Sequence, residues 1–262
     1  MLLLGAVGGS MAFSWLLADF SPKRLVQVVQ GTAMVVLLLN SVALWKQEAR
    51  NPARAAAMKT EKHPPFRLVW QRFIANRQAK RFLWATGLGT MAFNMQDVVL
   101  EPYGGEIMHL SVGATSALTA LLAGGAMAGF LLAARVLARG ADPLRLAAYG
   151  VLAGLPAFSA VIFAAPLQAD DLFRLGALGI GFGGGLFAVG TLYAAMRMED
   201  GGFVGLALGA WGAVQSVAAG LAMFLGGALR DLVSGLAAEG ALGAALVDPA
   251  TGYSFVYHVE MY

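Results

Sequence analysis

The sequence predicts an all-α, polytopic membrane protein, and three observations carry that prediction. Of 262 residues, 58% are hydrophobic and only 13% are charged, against roughly 25% charged in an ordinary globular domain. The mean hydropathy is +0.68. The apolar residues come in runs of about 20, the length that crosses a bilayer as a helix, and these runs are too long and continuous for barrel strands, which alternate residue by residue. The same composition excludes a disordered chain, which is poor in apolar residues. With few charges and no cysteine, it also excludes a coiled coil and a disulfide scaffold.

Taken in order, the apolar segments are residues 1–18, 25–45, 82–100, 113–134, 146–169, 175–196 and 203–229. An eighth begins near Tyr253 and stops at Tyr262, so about seven transmembrane helices plus the start of another are expected. Segment 1–18 lacks the positive leading region of a signal peptide and runs straight into the next apolar segment, so it reads as a transmembrane helix. Because the chain opens inside one hydrophobic helix and stops shortly after another begins, the expectation is a piece of a larger bundle.

Charge orients these segments. Residues 46–81 hold more than half of the 18 lysines and arginines. Alternating crossings put them on the same side as residues 135–145 and 197–204. Lys23, Arg24, Arg174 and Arg230 are the only cations left on the other side. The positive-inside bias makes the first side cytoplasmic. A basic loop between apolar flanks points to anionic lipid headgroups as a partner, not nucleic acid. It divides the chain into 1–45, a two-helix block; 46–81, the basic loop; and 82–262, five helices plus a truncated last one. Within the loop, residues 66–74 (FRLVWQRFI) mix apolar and basic residues as an interfacial helix does.

Small-xxx-small spacing recurs at Gly5/Gly9, Gly125/Gly129, Gly150/Gly154, Gly179/Gly183, Gly181/Gly185 and Gly205/Gly209. It predicts close helix packing, because a helix face without side chains lets backbones approach. Residues 181–185 (GFGGG) read as packing in the first place and as a hinge in the second. With no strand before them, they are not a phosphate loop.

The most informative stretch is residues 91–105, MAFNMQDVVLEPYGG. Asn94, Asp97 and Glu101 are spaced i, i+3, i+7 and share a helix face. Charged groups at bilayer depth are costly and tend to face a bundle interior or wet cavity. Pro102, Gly104 and Gly105 are expected to end this helix on the non-cytoplasmic side. The plainer alternative is that Asp97 and Glu101 solvate a helix end at the interface. Gln27, Gln30, Asn40 and Gln215 read as interhelical hydrogen-bonding residues. Trp15, Trp45 and Trp84 read as interfacial belt residues, and the deeper Trp211 as packing against a helix or ligand. Of the histidines His63, His109 and His258, the last lies near membrane depth and could ligate a tetrapyrrole magnesium. No cluster has metal-ligand spacing and no nucleophile elbow occurs, so no enzyme is expected.

Residues 94–125, NMQDVVLEPYGGEIMHLSVGATSALTALLAGG, resemble the PucC/LhaA family, the bacteriochlorophyll-delivery branch of the major facilitator superfamily. Residues 15–31, 43–50 and 205–233 extend the resemblance over nearly the whole chain. It implies a major-facilitator-like bundle: part of a twelve-helix protein, from about the fifth helix to the start of the twelfth, with residues 46–81 as the central cytoplasmic loop. The superfamily's basic loop motif is poorly kept at residues 135–145 (RVLARGADPLR).

The function implied is assembly of light-harvesting complexes in the bacterial inner, cytoplasmic or intracytoplasmic membrane. The protein would bind bacteriochlorophyll and hand it to antenna α and β polypeptides, with pigment-synthesis proteins as further partners. Gln96, Asp97, Glu101, Pro102, Tyr103, Gly104 and Gly105 are the motif positions. Asn94, Gln96, Asp97, Glu101, Tyr103, Trp211 and His258 are the candidate pigment-binding residues. The alternative is a secondary transporter of a small or amphipathic molecule, proton-coupled through Asp97.

Overall fold

A computed structural model of the chain describes residues 2–18, 21–44, 65–198 and 204–261. Trp45, His63 and residues 46–64 of the basic loop lie outside the described residues. Among the described residues all regular structure is helical: α1 (Leu2–Leu16), α2 (Pro22–Leu44), α3 (Phe66–Ala75), α4 (Arg77–Asn94), α5 (Gln96–Glu106), α6 (Val112–Ala138), α7 (Pro143–Leu167), α8 (Asp170–Met196), α9 (Val204–Ala238) and α10 (Ala250–Met261), with a single 3-10 turn at Ala244–Leu246. Five helices are long and apolar enough to cross a bilayer, over Pro22–Ala43, Val112–Ala138, Pro143–Leu167, Asp170–Met196 and Gly205–Ala238. α1 has 15 residues, and the expected span 82–100 is divided at Met95 between α4 and α5.

The helix ends follow local chemistry. Asn76 caps α4 by accepting from Gln78 N–H, Ser111 caps α6 by accepting from Ala114 N–H, and Asp142 caps α7 by accepting from the N–H groups of Leu144 and Arg145, with Pro143 in the first turn. Gln168 closes α7 in the left-handed conformation.

α8 is the central helix, packed between α6 and α7, and its glycines explain why. A Cβ on Gly181 would sit 1.9 Å from the Leu122 carbonyl oxygen of α6, and one on Gly185 2.5 Å from that of Ala126. Gly125 and Gly129 of α6 return the contact against Leu178 and Phe182. On the other side Gly183 meets Gly150 of α7, and Gly190 meets Pro143. Residues 181–185 are therefore packing residues. The same reading fails for two of the expected pairs: a Cβ on Gly5, Gly9, Gly205 or Gly209 meets nothing within 4 Å.

α1 docks along α6, with Ser14 Oγ donating to the Gly113 carbonyl at 2.7 Å. No described residue of α2 is buried. The expected interhelical bonding of its amides is corrected accordingly: Asn40 donates to the Val36 carbonyl of its own helix, and Gln27 and Gln30 are exposed.

α3 forms a helix over the segment expected to be interfacial. Phe73 is buried with Ala79, Ala207 and Ala210, Trp70 and Ile74 pack alongside, and Arg67 and Arg72 stay exposed. Trp15 and Trp84 are largely exposed.

One boundary is corrected. Pro102, Gly104 and Gly105 do not end a helix; α5 runs through all three to Glu106. The irregularity comes earlier, at Met95. There the Asn94 side chain donates to the Thr90 carbonyl at 2.6 Å, competing with backbone bonding. Met95 keeps right-handed helical dihedrals and bonds Met91 O, so α5 continues the direction of α4. Gly104 serves approach instead of termination, since its Cβ would meet Leu118 and Phe173 at 3.1 and 3.2 Å.

Candidate functional site

The junction of α4 and α5 opens onto a cavity of about 410 Å³ in the middle of the bundle, walled by α6, α8 and α9. Its polar lining is Thr90, Asn94, Gln96 and Asp97 on one side and Gln215 and Ser216 of α9 on the other. Phe93, Phe130, Ile180 and Phe187 supply the apolar wall. Gln96 is buried and its Nε2 donates to Asp97 Oδ1 at 2.6 Å, which holds the carboxylate against the cavity. Gln96 Oε1 has no partner.

A second, larger cavity of about 1050 Å³ lies at the opposite end from α3. The end of α5, the α7–α8 and α9–α10 connections and the exposed side of α10 enclose it. Ile107, Met108, Leu236, Leu242, Leu246 and Phe255 make it mostly apolar, and its polar residues include Tyr103, His109, Gln168, Asp170, Asp248 and His258. His258 Nδ1 lies 2.7 Å from the Ser254 carbonyl. A carbonyl only accepts, so Nδ1 carries a proton, and the lone pair of the uncharged imidazole is the one on Nε2.

The rim of this outer cavity is fastened by charge. Arg230 Nη2 lies 2.7 Å from Glu106 Oε2 and Nη1 lies 2.8 Å from Asp231 Oδ1. The guanidinium covers the Tyr253 ring at 4.5 Å and donates to its hydroxyl. Tyr253 in turn donates to Glu106 at 2.5 Å. α5, α9 and α10 are thereby joined at one point.

The structure thus divides the candidate residues that sequence put together. Asn94, Gln96 and Asp97 face the mid-bundle cavity. Tyr103 is buried among Phe173, Tyr253 and Tyr257 at the base of the outer cavity, which His258 also lines. Glu101 belongs to neither lining: it is exposed and accepts from Thr119 Oγ1 of α6 at 2.5 Å. Trp211 also lies outside both and donates to Thr191 Oγ1 at 3.2 Å, packing near Phe82 and Ala195.

Sequence reasoning missed Gln215 and Ser216 as cavity residues and passed over Glu260. The missed signal is the i, i+4, i+7 spacing of Tyr253, Tyr257 and Glu260, which puts all three on one face of α10.

With this geometry in place, comparison with known proteins is informative. The family model described as PUCC protein matches residues 1–262. The chain is 47% identical over 234 residues to Protein PucC of Rhodovulum sulfidophilum, covering 89% of this chain and 52% of that one. It is 48% identical over 236 residues to Protein PucC of Cereibacter sphaeroides, covering 90% and 51%. It is 47% identical over 261 residues to an uncharacterized protein in the puhA-bchM intergenic region of Rhodobacter capsulatus, covering 100% and 54%. The chain spans about half the length of the curated relatives it matches. No solved structure matches it.

Proposed function

The chain belongs to the PUCC protein family, and from that premise we propose that it is a non-enzymatic factor for light-harvesting complex assembly that binds bacteriochlorophyll and delivers it to antenna α and β polypeptides. It is a multi-pass bacterial membrane protein with several long apolar helices; the inner membrane, where pigment and antenna chains would meet, is part of the proposal. So are the seven crossings, counting α1, α2, the α4–α5 pair and α6 to α9, in a major-facilitator-like bundle. The docking of α1 on α6 and the near-continuity of α4 into α5 support that reading.

One observation carries the pigment assignment: His258, with Nδ1 committed to Ser254, lines a large apolar cavity with Nε2 left as a ligand. The volume, about 1050 Å³, is at the upper end of ligand pockets. Bound there, bacteriochlorophyll would supply a light-absorbing macrocycle and a magnesium able to take a nitrogen ligand from the protein. His258 would hold the metal, Leu236, Leu242, Ile107 and Phe255 would exclude water from the macrocycle, and the Arg230–Glu106–Tyr253 cluster would hold the rim.

The test is pigment content after mild purification of the intact protein from pigment-making cells. His258→Leu is expected to lower co-purifying bacteriochlorophyll at least several-fold while the protein remains folded. Unchanged pigment in that variant, or absence of pigment and antenna chains from the native protein, overturns the reading.

The mid-bundle cavity favours a second reading, a secondary transporter of a small or amphipathic molecule coupled to protons through Asp97. Asp97→Asn would then abolish uptake into vesicles driven by a proton gradient. Uptake at the native rate removes the coupling.

A further inference from the structure

The polar side of the mid-bundle cavity is rich in acceptors and holds no cation. Of the residues that line it, Asp97 alone carries a formal charge, and it is exposed. Among the described residues Asp97 forms no ion pair. It accepts a hydrogen bond from Gln96 Nε2 at 2.6 Å.

The neighbouring groups are arranged in the same sense. Gln96 Nε2 faces two acceptors, Asp97 Oδ1 and, at 3.5 Å, the Phe93 carbonyl, which fixes the orientation of the amide. Its Oε1 is therefore the atom left without a partner, on a residue only 1% exposed. Asn94 directs its Nδ2 to the Thr90 carbonyl at 2.6 Å. The Thr90 hydroxyl has no partner either, and that residue is 5% exposed. Buried polar atoms are nearly always hydrogen-bonded, so two unpartnered oxygens on residues of one cavity wall, beside an unpaired carboxylate, point to a guest that brings N–H groups and positive charge.

The apolar part of the lining fixes the rest of the guest. Phe93 and Phe187, with ring centroids 5.8 Å apart, form it together with Phe130, and ring faces attract an ammonium group through their quadrupole. α8 adds Gly181, Gly184, Gly185 and Ala188, which leave the cavity a volume of about 410 Å³. That is less than half the 1050 Å³ of the outer cavity and within the range of small-molecule sites. A hard metal ion fits poorly, because it gathers six or more oxygens around one point. Here the oxygens of Thr90, Asn94, Gln96 and Asp97 face those of Gln215 and Ser216 across the cavity.

We propose that the mid-bundle cavity binds a small organic cation, a primary ammonium on an apolar body. The ammonium pairs with Asp97 and donates to the oxygens on the Thr90–Gln96 side, and the body lies against Phe93, Phe130 and Phe187. Gln96 is a positioning residue that holds the carboxylate against the cavity. The site shares no lining residue with the outer cavity, so it does not rest on the pigment reading, and binding at equilibrium requires neither uptake nor a proton gradient.

The experiment is isothermal titration of benzylammonium into the full chain in nanodiscs of zwitterionic lipid, with empty nanodiscs subtracted. The expected result is saturable binding at one site per chain. Benzyl alcohol lacks the charge, and benzyltrimethylammonium keeps the charge but has no N–H; each is expected to bind at least about tenfold more weakly. Asp97→Asn, which retains an oxygen for Gln96 to bond, should weaken benzylammonium by a similar factor, and Asp97→Glu should keep most of the affinity. The three compounds compared on the native chain keep the test readable if a variant fails to fold. Absence of saturable binding, equal affinity for either analogue, or native affinity in Asp97→Asn overturns the proposal. So does displacement of benzylammonium by sodium or magnesium at equal concentration, which would make this an inorganic cation site. Pigment content measured on the same samples separates this outcome from that of the pigment reading.

Discussion

Replacing Gly181 by alanine is expected to destabilise the bundle strongly. The added Cβ would lie 1.9 Å from the Leu122 carbonyl oxygen and 2.8 Å from its carbon. These are backbone atoms, so no rotamer change relieves the clash, and α8 must move bodily away from α6. That movement also loosens the facing contacts of Gly125 against Leu178 and Gly185 against Ala126. In lipid, helix association rests on such close dispersion contacts, not on hydrophobic transfer, so their loss is not offset by burial elsewhere.

Overpacking a core commonly costs about 1–3 kcal/mol, and a rigid backbone neighbour puts Gly181→Ala at or above the upper end of that range. Thermal unfolding in detergent, followed by tryptophan fluorescence or by loss of the monodisperse peak, measures it. Gly205→Ala is the matched control, because nothing lies within 4 Å of the added atom; its midpoint should stay at the native value. A native midpoint in Gly181→Ala would mean that α6 and α8 are not in contact at this point.

Replacing Gly252 by alanine is expected to release α10 without unfolding the rest. Its Cβ would fall 2.1 Å from Ser234 Oγ and 2.6 Å from the Arg230 carbonyl oxygen. The hydroxyl can rotate away, but the carbonyl belongs to the backbone of α9. α10 is a 12-residue helix whose hold on the bundle is the α9 contact, the Arg230–Glu106–Tyr253 cluster and the aromatic packing of Tyr253 and Tyr257 on Tyr103.

Pushing the helix off at its third residue breaks these together, which on the scale of overpacking is about 2–3 kcal/mol of local stability. Backbone hydrogen exchange should rise selectively over residues 250–261 while α6 to α8 keep native protection. Because α10 carries His258, co-purifying pigment should fall in the same variant. Native protection over residues 250–261 would count against the close α9–α10 approach.

Some of this was open to sequence reasoning because the causes are local. The apolar runs announce the long helices, since a residue run either is or is not apolar enough for lipid. Asp142 followed by Pro143 marks the start of α7 through a cap and a fixed φ. Residues 66–74 read as an amphipathic helix, and α3 covers them.

Local rules misled at residues 102–105. Pro and Gly ordinarily stop helices, but here Phe173 and Leu118 pack onto Gly104 and Tyr103 is buried against Phe173, so tertiary contacts carry α5 through. The glycine pattern was legible as a class and not residue by residue. Gly125 and Gly181 touch backbone, whereas Gly205 and Gly209 touch nothing, and no spacing rule separates them.

By itself, the sequence determined the helical class, the long apolar segments and a polar stretch at residues 94–101 that had to find polar company. Hydropathy and helical periodicity act over one turn or one bilayer thickness, so they can be read along the chain. Which company each polar residue keeps was decided only in three dimensions. Asp97 meets Gln215 across a cavity, Glu101 meets Thr119, and Tyr103 joins an aromatic cluster with Tyr253 and Tyr257, about 150 residues along. Those neighbours are set by how glycine-faced helices pack against one another, which depends on contacts distant in sequence.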